Sequence, residues 1–217
     1  MNPGYTHKKW LLLPVAGIIL FILLYVISTF LYPGGSDYNK TENGFNWFHN
    51  YWCELLAYHS QNGTPNPARP VTIVAMSILV ISLIIFWRQV PYLFKESKRS
   101  DWVIRSSGIT SMLLLPIMLV GPHDLVINLA AMFGCIAVIL VLLKLFQHKM
   151  KISFLLGLVC LLLCGLNNYV YYSSKWRYLL PVIQKISFLT FLGWFAGLTI
   201  KLYKKESILK KSFHETV

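Results

Sequence analysis

Charge is scarce in this sequence, and acidic charge is scarcer still. Of the 217 residues only 13% are Asp, Glu, Lys or Arg, and only 8 are acidic, whereas 56% are hydrophobic. A soluble domain of this length needs a largely polar exterior to cover its apolar interior. The composition therefore excludes an ordinary soluble protein.

Motifs for metals, cofactors and nucleophilic catalysis are also missing. His49, Glu54 and His59 stand five residues apart, which on a helix turns successive side chains about 140° away from each other. No HxxxH or HExxH pair exists, although such pairs are typical of zinc sites. No serine stands in a nucleophile-elbow context, and no glycine-rich phosphate loop is present. The sequence predicts neither a metal site nor a cofactor.

Long hydrophobic runs are what the chain has instead. Six are present, at 10–32, 71–87, 102–121, 123–146, 152–172 and 179–203. A helix needs about 20 apolar residues to cross a bilayer, and such solid blocks differ from the alternating pattern of barrel strands. We therefore predict an all-α integral membrane protein, in which 1–217 form a single six-helix domain. The first run is too long for a signal peptide, and we expect it to be retained.

Lysine and arginine residues are unequally shared between the two sides of these helices. With the N-terminus in the cytoplasm, only Lys40, Arg69, Lys175 and Arg177 lie on the outer side. The cytoplasmic set has fourteen members: Lys8, Lys9, Arg88, Lys95, Lys98, Arg99, Lys144, Lys149, Lys151, Lys201, Lys204, Lys205, Lys210 and Lys211. Positive charge concentrates on the cytoplasmic side of membrane proteins, so both termini are predicted to be cytoplasmic. We therefore explain the net charge of +12 by the orientation of the protein in the membrane and by contact with anionic lipid, and not by nucleic-acid binding.

The third predicted helix has two features of its own. Ser107, Gly108 and Ser111 form a small-residue face that a neighbouring helix can approach closely. Arg105 lies one turn inside the cytoplasmic end of this helix, near Asp101. We expect the long arginine side chain to extend toward the lipid headgroups.

The first outer loop contains an amphipathic segment at 45–58. At about 100° per residue, its polar and its large apolar residues fall on opposite arcs of a helix. We predict an interfacial helix that lies at the membrane surface with its aromatic side chains at headgroup level. The polar arc consists of Asn46, His49, Asn50, Cys53, Glu54 and Ala57.

Polar residues of three predicted helices collect in the outer third of the bundle. They are His123, Asp124 and Asn128 of the fourth helix, Asn167 and Asn168 of the fifth, and Gln184 and Lys185 of the sixth. A lysine inside a membrane costs about 3 kcal/mol unless it is paired or hydrated. We therefore expect Lys185 to pair with Asp124 or Glu54 in an outward-facing polar cavity. In the alternative, Lys185 extends to the outer phosphates and the asparagines only bond between helices.

Four short segments carry a likeness to known proteins. They are Tyr32-Pro33-Gly34-Gly35 after the first helix, the loop segment 50–55, His123 with Ala130 and Ala131, and Gln184-Lys185 with Trp194. Together they resemble the bacterial integral-membrane family called domain of unknown function 998. Cys53 replaces a serine of that family, and Lys185 replaces an arginine, which keeps the charge but loses the bidentate fork. The resemblance implies six helices in a bacterial cytoplasmic membrane and brings no established activity. A more distant likeness is to the six-helix Frag1/DRAM/Sfk1-type proteins.

These residues leave three functions open. In the leading hypothesis, a non-enzymatic membrane protein binds a lipid headgroup or small polar ligand. The ligand-binding residues would be His49, Asn50, Glu54, Asn128, Asn168, Gln184 and Lys185. The second is an intramembrane hydrolase or transferase of lipid headgroups that uses His123 and Asp124 as acid and base. The third is a small transporter subunit. Membrane lipids are the expected partners, and homo-oligomerisation is left open.

Overall fold

The computed structural model describes residues 8–94, 98–119, 123–173 and 175–214, and these residues are predominantly helical. Its α-helices there are α1 (Leu13–Leu31), α2 (Ala68–Gln89), α3 (Lys98–Leu114), α4 (His123–Gln147), α5 (Lys151–Tyr172) and α6 (Leu180–His214). Short 3-10 helices occur at Lys8–Leu12, Trp52–Leu56, Val90–Leu93, Leu115–Leu119 and Arg177–Leu179. The β-type pairing within the described residues is limited to two isolated bridges, Gly34 with Asn43 and His59 with Pro65. The predicted all-helical fold is confirmed.

Five of the described helices are long and apolar enough to cross a membrane. These spans are Lys9–Leu31, Ala68–Leu93, Asp124–Gln147, Lys151–Tyr172 and Arg177–Ile208. Large apolar side chains such as Phe30, Phe146 and Leu162 are exposed on them. Exposure of this kind has no hydrophobic cost in a bilayer, where the surroundings are as apolar as the side chains.

The remaining predicted crossing, at 102–121, is not among these five spans. Its helix α3 has 17 residues and begins with a charged turn that contains Lys98, Arg99 and Asp101. Pro116 follows α3 within a 3-10 turn. A proline lacks the backbone N–H and collides with the carbonyl four residues earlier, which explains why the α-helix ends before it. The described helices therefore account for five of the six predicted crossings.

The chain divides into two compact units. The first consists of Met1–Ile18, Leu79–Gly157 and Gly193–Val217, and the second consists of Ile19–Ile78 and Leu158–Leu192. The first unit thus contains α3 and α4 in full, whereas the second contains the long loop that follows α1. Each unit has its own packing and its own buried lysine.

In the first unit, α3 and α4 pack closely along small residues. The Ser111 hydroxyl donates to the Ala130 carbonyl oxygen at 2.7 Å. Gly108 lies so close to the Trp87 ring that a Cβ at this position would collide with it. Ser107 and Ser111 are both buried. The predicted close approach along Ser107, Gly108 and Ser111 is confirmed.

The first unit also contains a buried ion pair. Lys144 of α4 donates to the Asp101 carboxylate of α3 at 2.9 Å. Asp101 is the acid that the sequence places beside Arg105, and in the structure it bonds to the lysine of the neighbouring helix. This pair joins the two helices by charge as well as by packing.

Candidate functional site

The candidate site lies in the second unit and begins with a glycine turn. Gly34 and Gly35 have φ values of 135° and 81°, which only glycine adopts without strain. A Cβ on Gly34 would collide with the Glu42 carbonyl oxygen, and one on Gly35 would collide with the Asn62 backbone. The Gly35 N–H donates to the Glu42 carbonyl at 2.7 Å, and the Asn62 N–H donates to the Gly34 carbonyl at 3.3 Å. The glycine pair therefore holds two later segments of the loop against the end of α1.

The interfacial α-helix predicted over 45–58 is not present. Within residues 45–51 only 47–49 form a turn, and Trp52–Leu56 is the helical part of the segment, as a single 3-10 helix. The Asn46 side-chain oxygen accepts from the backbone N–H groups of Phe48 at 2.8 Å and His49 at 3.2 Å. The Asn50 side-chain oxygen accepts from the Asn46 N–H at 2.8 Å. Such side-chain acceptors compete with the backbone hydrogen bonds of a helix, which explains why the predicted helix does not form.

Lys185 of α6 is bonded to the backbone of this loop. Its Nζ donates to the Asn50 carbonyl oxygen at 2.6 Å and to the Pro181 carbonyl oxygen at 2.9 Å. The same Nζ lies 5.6 Å from the centroid of the Phe45 ring. The neighbouring Gln184 accepts from the Trp52 N–H at 3.3 Å. Consecutive residues of α6 therefore hold the loop at two points.

The expected ion pair of Lys185 is not formed in the described residues, because none of their carboxylates lies within 4.0 Å of its Nζ. Asn50 connects the lysine to Glu54 instead. The Asn50 amide donates to the Glu54 carboxylate and, at 2.7 Å, to the Gly35 carbonyl. Asn50, Glu54 and Lys185 are only 0%, 7% and 6% exposed, so the centre of the cluster is filled by the protein itself.

Glu54 is the buried acid of the cluster. Gln61 donates to its carboxylate at 3.3 Å through the side-chain amide, and the Gln61 backbone N–H donates to the Tyr32 hydroxyl at 3.0 Å. Burial raises the pKa of Glu54 above its ordinary value, while hydrogen bonds such as that from Asn50 oppose the shift. Burial also raises the pKa of Tyr32, to about 12, so the phenol stays protonated at neutral pH.

Asn66 is part of the same network, and the sequence reasoning missed it. Its amide nitrogen donates to the carbonyl oxygens of Glu54, Leu55 and Ala57 at 3.2, 3.3 and 3.0 Å. Its side-chain oxygen accepts from the Ala68 N–H at 3.1 Å, which caps the first turn of α2. Asparagine followed by proline before an apolar run is a helix-start signal that would have identified this residue.

The other predicted ligand-binding residues are placed differently. His49 is partly exposed, with its Nδ1 3.9 Å from a Glu42 carboxylate oxygen and its ring against Tyr38. Asn168 is exposed, whereas the adjacent Asn167 donates to the Leu163 carbonyl at 2.9 Å and to the Ser187 hydroxyl. The structure thus connects α5 to α6 through Asn167 and not through Asn168.

The residues predicted at the start of α4 belong to the first unit. Asn128 is exposed and donates to the Asp124 backbone carbonyl at 2.9 Å, one turn earlier on the same helix. The side chain of His123 lies outside the described part of the structure. The site described here therefore consists of Asn50, Glu54, Gln184 and Lys185 and does not include the predicted acid–base pair.

Cys53 stands at the position where the resembled family has serine. It lies within the 3-10 segment Trp52–Leu56. Burial raises the pKa of its thiol to about 11, and the neighbouring Glu54 carboxylate adds to the shift. The thiolate is the nucleophilic form of cysteine, so this environment disfavours a reactive nucleophile at Cys53.

An apolar cavity of about 120 Å³ lies beside the polar cluster. It is lined by Ile22, Tyr25, Val26, Trp47, Trp52 and Leu189. The Tyr25 hydroxyl donates to the Trp52 carbonyl at 3.0 Å, and the Trp52 ring packs 5.4 Å from the Phe188 ring. The indole Nε1 of Trp52 is buried and has no hydrogen-bond partner in the described residues. Val26, Trp47 and Leu189 are exposed at the rim.

The fold and this site define the class as an all-helical protein with five helices suited to crossing a membrane. The described residues contain no group of three or more histidine, cysteine or acidic side chains that could hold a metal ion. No protein-family model, no curated protein and no solved structure matches the chain. Its function must therefore be inferred from the physical chemistry of the site.

Proposed function

We propose that this chain is a multi-pass membrane protein that binds a membrane lipid. A segment of acyl chain enters the cavity between Tyr25, Trp52 and Leu189. The carrying observation is the apolar cavity, whose lining of aromatic and branched aliphatic side chains presents almost no polar surface. Such walls offer dispersion contacts to hydrocarbon and no hydrogen-bond partners to water.

The chemistry of the walls supports a hydrocarbon ligand over a polar one. Apolar cavities of about 150 Å³ stay dry and bind molecules of the size of benzene. A cavity of about 120 Å³ is of that order, and it is lined by side chains of α1, α6 and the loop. Its exposed rim residues Val26 and Leu189 belong to helices of membrane-spanning length, where acyl chains are the surrounding solvent.

Gln184 and Lys185 act in this proposal as positioning residues. They hold the loop backbone at Trp52 and Asn50, and so they keep the Trp52 ring in the cavity wall. In this proposal the ammonium group of Lys185 supports the loop backbone through its bonds to two carbonyls and does not contact the ligand. The polar cluster supports the binding wall and the apolar cavity takes the ligand.

We also propose a full membrane topology. We infer that the chain crosses the membrane six times, with α3 as the crossing that is not among the five spans named above. Both termini would lie in the cytoplasm, and the membrane would be a bacterial cytoplasmic membrane. The excess of lysine and arginine on alternate loops supports the orientation. The resemblance to domain of unknown function 998 supports the bacterial setting, and it remains a prediction.

Native mass spectrometry of the purified protein in mild detergent tests the lipid site. Leu189→Trp fills the mouth of the cavity, and Ile186→Trp adds the same side chain at an exposed position of α6 that is not among the lining residues. We expect wild type and Ile186→Trp to retain phospholipid. Leu189→Trp should lose at least about tenfold in occupancy, since tenfold corresponds to the loss of 1.4 kcal/mol of binding free energy.

A second variant tests the contribution of the indole ring to the wall. Trp52→Phe keeps an aromatic ring in the wall but makes it smaller, so it should weaken lipid retention less than Leu189→Trp does. Equal lipid occupancy in wild type, Trp52→Phe and folded Leu189→Trp would contradict the proposed function.

A further inference from the structure

Arg105 in the first unit is an arginine without a carboxylate partner among the described residues. Its guanidinium carbon lies 4.9 Å from the centroid of the Tyr92 ring, and its Nε is enclosed without an acceptor. Asp101, one turn earlier on α3, accepts from Lys144 at 2.9 Å. No carboxylate of the residues described lies within 4.0 Å of Arg105. An arginine without an anionic partner favours an oxyanion beside its guanidinium fork.

Aromatic side chains surround this arginine on the outside of the protein. Trp102 lies three residues earlier, on the same face of α3, and is 68% exposed. Tyr92, whose ring lies under the guanidinium, is 53% exposed. Exposed tryptophan and tyrosine are typical of the headgroup level of membranes, where one end of the ring is wet and the other apolar.

The segment under Arg105 is held in place by a second cation. Lys205 of α6 donates to the carbonyl oxygens of Tyr92 at 3.3 Å and Leu93 at 2.8 Å. These bonds satisfy the end of the 3-10 turn Val90–Leu93 and fix the ring on which the guanidinium rests.

We propose that Arg105 binds a phosphate group. The guanidinium donates through its two Nη groups to two phosphate oxygens, in the bidentate geometry that arginine forms with oxyanions. The Tyr92 ring stacks against the guanidinium and fixes its plane, and Trp102 packs beside the molecule that carries the phosphate. The phosphate belongs to a phospholipid headgroup or to a free anion, and the experiment separates these sources. This site is independent of the proposed acyl-chain cavity, because it uses residues of the other unit.

Binding to the full-length protein in mild detergent provides the test, with three probes read by native mass spectrometry. The probes are phosphatidylglycerol, diacylglycerol, which lacks the phosphate, and inorganic phosphate. Arg105→Gln removes the guanidinium. Arg99→Gln is the matched control, since Arg99 is an exposed arginine of the same helix. Arg105→Lys keeps the charge but loses the fork.

We expect Arg105→Gln to lower the affinity for phosphatidylglycerol by at least about tenfold, the usual loss for a hydrogen bond to a charged group. Arg99→Gln should leave this affinity unchanged, and diacylglycerol should bind wild type and Arg105→Gln equally. An Arg105-dependent affinity for inorganic phosphate, without one for phosphatidylglycerol, would assign the site to a free anion.

The far-UV circular dichroism of each variant shows whether it folds. If Arg105→Gln does not fold, Arg105→Lys carries the test and is expected to lower the phosphate affinity severalfold through loss of the fork. The proposal is overturned if a folded Arg105→Gln, or in its place Arg105→Lys, binds both phosphate probes as tightly as wild type.

Discussion

Among the described residues, each compact unit contains one lysine that is buried within a spanning helix, and the two ammonium groups have different hydrogen-bond partners. Lys144 in the first unit is 4% exposed and donates to the Asp101 carboxylate at 2.9 Å. Lys185 in the second unit is 6% exposed and donates to the backbone carbonyls of Asn50 and Pro181. The same charge therefore has a carboxylate at hydrogen-bond distance in one unit and backbone carbonyls in the other.

The difference teaches what each lysine does for the fold. A lysine–carboxylate pair joins two side chains. Removing the charge of either one leaves the other charge buried without its partner. A lysine bonded to carbonyls fixes the backbone of a loop, and those carbonyls remain whatever side chains surround them. Lys144 is thus a helix-to-helix connection, whereas Lys185 attaches a loop to α6. Three substitutions test this comparison.

Lys144→Met should have the largest effect. It leaves the Asp101 carboxylate without the lysine that partners it, and breaking one side of a buried pair costs about 3–5 kcal/mol. The side chain of Asp101 is 21% exposed, which places our expectation at about 3 kcal/mol, the lower end of that range. The free energy of unfolding in mixed micelles measures the loss.

The double variant Asp101→Asn/Lys144→Met supplies the control for the ion pair. Removing both charges should recover most of the lost stability, because no isolated charge remains between α3 and α4. A double variant that is as unstable as Lys144→Met alone would argue against a pair held by charge.

Lys185→Met should have an intermediate effect. It leaves two buried carbonyl groups without this donor, for which the expected loss is about 1–3 kcal/mol in the free energy of unfolding. Hydrogen exchange of the loop amides over 45–58 should become faster, because the loop loses one of its attachments to α6. Lys175→Met, at an exposed position, is the control.

The comparison predicts a different double variant for this lysine. Glu54→Gln should not rescue Lys185→Met, since the Asn50 carbonyl lacks the lysine donor whether or not Glu54 is charged. Full rescue would show that Lys185 acts mainly on the charge of Glu54, and the distinction between the two lysines would fail.

The smallest expected effect is the pH dependence that Glu54 contributes. Burial raises its pKa in the folded protein above the ordinary value of about 4.5, so the folded state holds this proton more tightly than the unfolded state does. The resulting stabilisation is fully present below the unfolded pKa and is lost as the pH rises through the folded pKa. Glu54→Gln should therefore flatten this part of the unfolding profile above pH 4.5 and gain stability relative to wild type at neutral pH.

Glu206→Gln, which removes an exposed carboxyl group on α6 in the first unit, is the control and should leave the slope as it is in wild type. A Glu54→Gln variant with an unchanged profile would mean that burial does not control this carboxyl group.

The helical architecture could be predicted because hydropathy and helix length are local properties of the chain. Five of the predicted runs correspond to helices suited to crossing a membrane. The run at 102–121 is predicted from its apolar residues, although Asp101 directly precedes it, Arg105 lies in its first turn and Pro116 interrupts it. A hydropathy average over the run does not take into account which partners these charged side chains have in the folded protein.

The candidate site could be predicted only in part. The structure brings together four of the seven predicted ligand-binding residues, Asn50, Glu54, Gln184 and Lys185. It places Asn128 in the first unit and leaves Asn168 exposed. The cavity was not anticipated, because its walls come from residues up to 167 positions apart, between Ile22 and Leu189.

The sequence by itself determined the class of the protein, because long uncharged runs can be stable only as helices in an apolar environment. It also identified Lys185 as a residue that must find partners, since a buried charge is costly anywhere. Only the tertiary structure decided which partners these are. The loop over 32–66 is held by positive-φ glycines and by side-chain bonds to its own backbone, and such long-range bonds leave no periodic pattern in a sequence.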